Sequence, residues 1–170
     1  LVTENWLISM LATLERQQAD AVLGPVLAVY PQSCPAWMQR GDFHSTRPTF
    51  EAKAITTGYC GNVLLRRLSA AVSGQRFRTE LGRSGGEDTA FFAQIHAAGG
   101  VITYAPEATV TEPVLPERAH LAWLLMRRFR YGQTYAHLLL DATGRGLAVR
   151  SIAAGKAAAK ALFCFTAAPF

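Results

Sequence analysis

Two adjacent carboxylates, Glu87 and Asp88, follow a glycine pair in the run Ser84-Gly85-Gly86-Glu87-Asp88-Thr89-Ala90-Phe91-Phe92. A carboxylate at a helix N-terminus behind a glycine-rich loop is placed to take a proton from a hydroxyl group, because the loop admits a ligand and the helix fixes the oxygen. The helix dipole and backbone donors at that position oppose basicity, so the role requires partly buried or acid-rich surroundings. Glu87 has a complete structural explanation as well: Ser84 and Glu87 have the spacing of a capping box, each side chain satisfying the other's backbone N–H. Asp88 is not accounted for by capping.

The elements that would position this pair follow from periodicity and punctuation. Thr3 can cap a helix over about 4–17, with apolar positions Leu7, Leu11 and Leu14 at helical steps. Ala19–Tyr30 reads as a buried strand interrupted at Gly24-Pro25, which suggests an edge position or a bulge. Residues 32–57, with Pro35, Gly41 and Pro48, predict a long loop carrying a helical turn near Ala36–Arg40. A strand at Asn62–Arg66 and a short helix at Leu68–Val72 follow. The acidic pair then opens a helix over about 85–98, with Phe91, Ile95 and Ala98 as its apolar stripe and Gly99-Gly100 as its stop. Strands are expected at Val101–Tyr104 and Ala108–Thr111, and a helix from Pro116 through Leu140 with Gly132 as a weak point.

Several separated motifs occur in one order: Thr57-Gly58-Tyr59-Cys60-Gly61-Asn62-Val63-Leu64-Leu65-Arg66-Arg67, Phe77, Leu81 through Phe92, Ala98-Gly99-Gly100, and Tyr104-Ala105-Pro106-Glu107-Ala108. Together they resemble the second half of a family-2 glycosyltransferase of the exopolysaccharide, succinoglycan-synthesis type, over about residues 4–135. The resemblance implies an α/β fold, part of a GT-A domain (a Rossmann-like α/β/α sandwich around a mixed sheet), followed by a basic helix and an amphipathic tail. It places the general base of an inverting displacement on Asp88, flanked by Glu87. It aligns Gly61-Asn62 with a segment lining the sugar pocket, although Gly61 is equally explained by a tight backbone at a strand start. Glu112 falls where many relatives carry a metal-binding His, and a solvated strand-end carboxylate is the alternative.

In that family the helix equivalent to Thr3–Gln17 follows a strand ending in an Asp-rich motif that binds the nucleotide diphosphate through a divalent cation. No such run occurs here. The expected cofactor is therefore Mg²⁺ or Mn²⁺ with its main ligand motif outside this chain, and the nucleotide-binding half is expected to be missing. The implied reaction moves a sugar from a nucleotide diphosphate sugar to a glycan or lipid-linked acceptor.

The formal charge of +5 and pI near 9.4 are concentrated towards the C-terminus. Arg118, Arg127, Arg128, Arg130, Arg145, Arg150, Lys156 and Lys160 all follow position 117, where Asp141 is the only acid. The arginines in Arg127-Arg128-Phe129-Arg130-Tyr131 can pair with a diphosphate in bidentate fashion, or form a solvated or membrane-facing stripe. Three expected parts follow: 1–115, 116–146, and a tail 147–170 whose charges interrupt any spanning helix and suit an amphipathic segment lying on a membrane.

His44, His96, His120 and His137 share no ligand spacing. Cys34, Cys60 and Cys164 define neither a zinc site nor a disulfide framework, which favours a reducing setting. The expected location is cytoplasmic, peripheral to the inner face of the cell membrane, with no nucleic-acid partner. The competing readings are a non-catalytic basic module binding membrane or nucleic acid through 118–160, and an inactive truncated remnant.

Overall fold

The computed structural model describes residues 1–82, 85–143, 146–148, 150–152, 154–155 and 157–159. The chain divides into two units, Leu1–Arg128 and Phe129–Phe170.

In the first unit the opening helix, α1 (Trp6–Arg16), forms where the spacing predicts it, but with its face rotated. Met10, Thr13 and Leu14 are buried and Trp6 packs beside them, whereas Leu7, Ile8 and Leu11 are exposed. The polar Thr13 is tolerated on the inner face because its hydroxyl lies within hydrogen-bond reach of Arg16.

The run Ala19–Tyr30 is two strands, not one interrupted strand. β1 (Ala21–Leu23) is buried along its whole length at the centre of a three-stranded sheet. It pairs antiparallel with β3 (Val63–Leu65) and parallel with β4 (Ile102–Tyr104). β2 (Val26–Val29) instead pairs parallel with β5 (Val110–Pro113) in a second sheet. Gly24-Pro25 is thus where the chain leaves one sheet for another, which corrects the edge or bulge expectation. The residue must be glycine on steric grounds, since an added Cβ would lie 2.3 Å from the Ala108 carbonyl oxygen and 2.4 Å from Asn62 Nδ2.

Alternation along the central strands sorts the two sides of the three-stranded sheet. Val22 and Leu64 join Met10, Leu14, Ala105 and Ala108 on the α1 side. Ala21, Leu23, Val63, Leu65, Ile102 and Tyr104 face the opposite side, where α3 (Ala70–Ser73) and α4 (Glu87–Ala97) contribute Ala71, Val72, Phe91, Phe92 and Ile95. The result is a mixed sheet between helical layers, consistent with part of a Rossmann-like α/β fold.

The 32–57 stretch contains the expected turn of helix, α2 (Ala36–Gly41), and is pinned by bridges between Val26 and Thr46 and between Glu51 and Ala54. A 3₁₀ turn at Pro116–Arg118 comes before α5 (Leu121–Thr143), so the helix begins later than Pro116, and it runs through Gly132. No helix among the described residues is long and apolar enough to cross a membrane. The described residues of 147–159 are helical and exposed.

Met38 of α2, Cys34 and Leu124 of α5 form a separate small core. Over it lies His44, stacked on Trp123 at 5.1 Å and edge-on to Tyr30. Its Nε2 sits 2.9 Å from the Arg118 carbonyl, and its Nδ1 is 3.3 Å from the Tyr30 hydroxyl, which itself accepts from the His44 N–H. These partners assign the neutral Nε2–H tautomer. Burial first, and then the charges of Arg127 and Arg118, lower the His44 pKa against the raising effect of the Arg118 carbonyl. The unfolded chain then binds this proton more readily than the folded one, so stability should be lost as pH falls below about 6.5. Thermal melts across that window should show the loss, and it should flatten in His44→Phe, which keeps a ring on Trp123 without a titrating nitrogen.

Candidate functional site

The acidic pair occupies the first turn of α4, where the helix dipole favours negative charge. The turn is reached through Gly85 and Gly86, at φ 83° and 98°, a left-handed conformation that glycine adopts without a Cβ penalty. Gly86 is the N-cap and no side chain caps the helix. This corrects the capping-box expectation: Ser84 lies outside the described residues, and Glu87 is the first helical residue instead of the third. Glu87, at the first helical position, has a buried Oε2 with no hydrogen-bond partner among the described residues.

Asp88 faces the segment 57–62. Its Oδ2 accepts the backbone N–H of Cys60 at 3.0 Å. The Cys60 thiol is exposed yet pushed up to about 12, first by partial desolvation, then by its hydrogen bond to Asp88 and the charges of Asp88 and Glu87. The two carboxylates and the thiol therefore lie in one cluster at the start of α4. Since only thiolate reacts, Cys60 should be alkylated slowly by iodoacetamide near neutral pH despite its exposure. Asp88→Asn, which removes one of the raising charges, should speed that labelling, and an unchanged rate would show that the contact does not hold in solution.

The 57–62 segment has no regular structure but is fixed at several points. Gly58 lies on the Phe92 ring, where a Cβ would come within 2.6 Å of Cγ. The Tyr59 hydroxyl donates to the Gly24 carbonyl at 2.8 Å, and burial raises its pKa so that it stays a donor. Gly61 is exposed and backs onto Val26. Asn62 is 3% exposed, and its amide is used by the protein itself. Nδ2 donates to the carbonyls of Pro25 (3.0 Å) and Ala108 (2.7 Å), and Oδ1 accepts from Trp6 Nε1 at 2.8 Å. Asn62 therefore lies beneath the surface that carries Cys60 and Asp88, tying α1 to the point where the chain changes sheets.

Aromatic packing supports the acidic turn from the other side. Phe77, partly exposed, stacks on Phe91 at 4.4 Å, and Phe91 meets Phe92 edge-on. Cys60 and Tyr59 contribute to the site without having been singled out from sequence; their place inside the Thr57–Arg67 motif was the available signal.

The remaining predicted residues lie apart from the acidic turn in sequence and element. Glu112 is exposed on β5, opposite Ala28. Among the described residues no three His, Cys, Asp or Glu side chains gather as a metal site. Arg127 lies over the Trp123 ring at 5.1 Å, and Arg128 and Arg130 are exposed on α5. His44 is packed as described, while His96 and His120 are exposed, the latter accepting the Trp123 N–H. The side chain of His137 and the whole of Cys164 lie outside the described residues.

Against known proteins, the chain is 51% identical over 168 residues to the succinoglycan biosynthesis protein ExoM of Rhizobium meliloti (strain 1021). The alignment covers 98% of this chain and 53% of that protein, so the chain spans about half the length of the curated relative it matches. No family model and no solved structure matches.

Proposed function

We propose that the chain is the acceptor-side part of a family-2 glycosyltransferase acting in exopolysaccharide synthesis. The reaction moves a sugar from a nucleotide diphosphate sugar to a hydroxyl of a glycan or lipid-linked acceptor. The observation that carries the reading is the Asp88 carboxylate, fixed on one oxygen by the Cys60 N–H inside an acidic cluster at a surface loop. The similarity to a succinoglycan biosynthesis protein over almost the whole chain supports the pathway class.

In this reading Asp88 takes the proton of the acceptor hydroxyl as its oxygen attacks the anomeric carbon. The bond to the diphosphate breaks on the opposite face with its electron pair, inverting the configuration. Glu87 flanks Asp88 in the same turn and adds its charge to the cluster. Gly61 lets the backbone pack on Val26, where a Cβ would come within 3.3 Å of the valine, and its exposed outer face is proposed to line the sugar pocket. Asn62 holds the floor beneath. Arg127, Arg128 and Arg130 are proposed as contacts to a donor or lipid diphosphate.

The described residues do not form a site for the divalent ion expected of such a reaction, since Glu112 stands without companion ligands. We place that ion's ligands outside the described residues, where the ion would stabilise charge on the departing diphosphate. The test is sugar transfer by this chain joined to the part of its ExoM relative that the alignment leaves uncovered, with Asp88 intact and as Asp88→Asn. Full transfer by the Asn protein sinks the assignment.

A further inference from the structure

β1 and β4 run parallel, so their last residues, Leu23 and Tyr104, lie side by side at one end of the three-stranded sheet. β3 runs the other way and starts there at Val63, opposite Leu23. Segment 57–62, and through Cys60 the Asp88 carboxylate, are thereby brought to the same end. Ligands of open α/β sheets gather outside the carboxyl ends of the strands. At that end Phe50, from the 32–57 loop, packs edge-on to Tyr104 with ring centroids 6.5 Å apart. Phe50 is 56% exposed, and an edge-on contact engages at most one face of a ring, so an aromatic face is left to solvent.

The turn directly after Phe50 is tight and strained. Backbone hydrogen bonds close it in both directions between Glu51 and Ala54, at 2.7 and 2.9 Å. Its central residues, Ala52 and Lys53, both stand in the left-handed region, at φ 47° and 73°, where Asn-Gly would be the easy choice. The Thr56 hydroxyl donates to Glu51 Oε2 across the base of the turn. Polar groups stand beside the ring. Arg47 pairs with Asp42 at 3.2 Å with half of its side chain exposed. Burial raises the hydroxyl pKa values of Tyr59 and Tyr104 against the opposing charge of Arg47, which sets that guanidinium near both tyrosines and keeps their hydroxyls protonated.

We propose that Phe50 is a stacking platform for a pyranose ring of the acceptor glycan, a reading that rests on the acceptor-side role assigned above. A pyranose with equatorial substituents has a face made of C–H groups, and the negative π-face of an aromatic ring attracts it. Its hydroxyls point outward around the rim, where Arg47 and the Tyr104 hydroxyl stand as hydrogen-bond partners. One exposed ring set among polar groups is too small and too polar-rimmed for an apolar partner surface, which needs a contiguous patch. A sugar uses both features at once. Phe50 would then fix which face of the acceptor is turned to the protein, and so which hydroxyl is offered at the Asp88 end of the sheet.

Saturation-transfer-difference NMR of the purified chain with cellobiose, a β-linked glucose disaccharide, tests it. Saturation of the aromatic protons should pass most strongly to the C–H protons of one sugar face. Phe50→Leu, which keeps apolar bulk without a π-face, and Phe50→Ala should weaken binding by about two- to tenfold, the worth of an aromatic contact. Urea unfolding of both should match wild type, since the side chain is exposed. Phe50→Tyr should bind like wild type. Equal binding by the Leu protein, or no saturation with the wild type, would overturn the proposal. So would saturation of uridine 5′-monophosphate that depends on Phe50 while cellobiose is unaffected, which would make the ring a nucleobase platform. Asp88→Asn should still bind cellobiose. Loss of the platform therefore leaves the base assignment standing, and full transfer by the Asn protein leaves the platform standing.

Discussion

Asp88→Asn is expected to lower sugar transfer by about 10²–10⁴-fold, the usual worth of a positioned general base, with little change in donor affinity. The substitution is informative because the amide is nearly isosteric. Its carbonyl oxygen can still accept the Cys60 N–H now received by Oδ2 at 3.0 Å, so the turn should keep its shape. What is removed is the carboxylate that the proposed reaction needs to hold the acceptor's proton. The assay is transfer by the chain joined to the uncovered part of the ExoM relative, with urea unfolding of both proteins as the stability control. A loss in KM alone, with kcat intact, would assign Asp88 to binding instead of proton transfer.

The second large effect is structural. Asn62→Leu should destabilise the first unit by about 2–5 kcal/mol, measured by urea unfolding. Leucine shares the branched heavy-atom skeleton of asparagine but is bulkier, and it leaves the Trp6 indole N–H and the Ala108 carbonyl without the partners seen at 2.8 Å and 2.7 Å. Pro25 is less affected, because its carbonyl also receives the Val110 N–H. Trp6→Phe removes a single hydrogen bond and should give a smaller loss. Equal stability of Asn62→Leu and wild type would show that water replaces the asparagine, contrary to its burial.

The contrast between Asn62 and Asp88 shows where the sequence was legible. Helices α1 and α4 and strand β3 could be read because their signals are local: helical spacing, a glycine stop and a short apolar run. The buried face of α1 was misjudged by one helical step, because Leu7, Leu11 and Leu14 fit the helical period as well as Met10 and Leu14 do. Only the sheet decides between the two faces. Gly24-Pro25 was seen as a break, but whether a broken apolar run stays in one sheet or changes to another depends on β3, β4 and β5, which are supplied from far along the chain. The Ser84/Glu87 spacing matched a capping box, yet the consecutive left-handed glycines restart the chain closer to the helix. The acidic pair itself was legible by type and order; its hydrogen bond to Cys60 was not, since no local pattern marks an N–H 28 residues away.

That non-locality governs how the site comes into being. The hydrogen bonds that hold segment 57–62 and Asp88 together span 28, 35, 37, 46 and 56 residues of chain. Each requires a loop of that length to close before the bond returns any free energy, and such closures come late when local helix formation is fast. A collapsing chain can therefore hold α4 with both carboxylates in its first turn and still possess no site. The carboxylate acquires its partner only once the two sheets have been joined at Gly24-Pro25, so assembly of this surface reports completion of the fold, not one of its early steps.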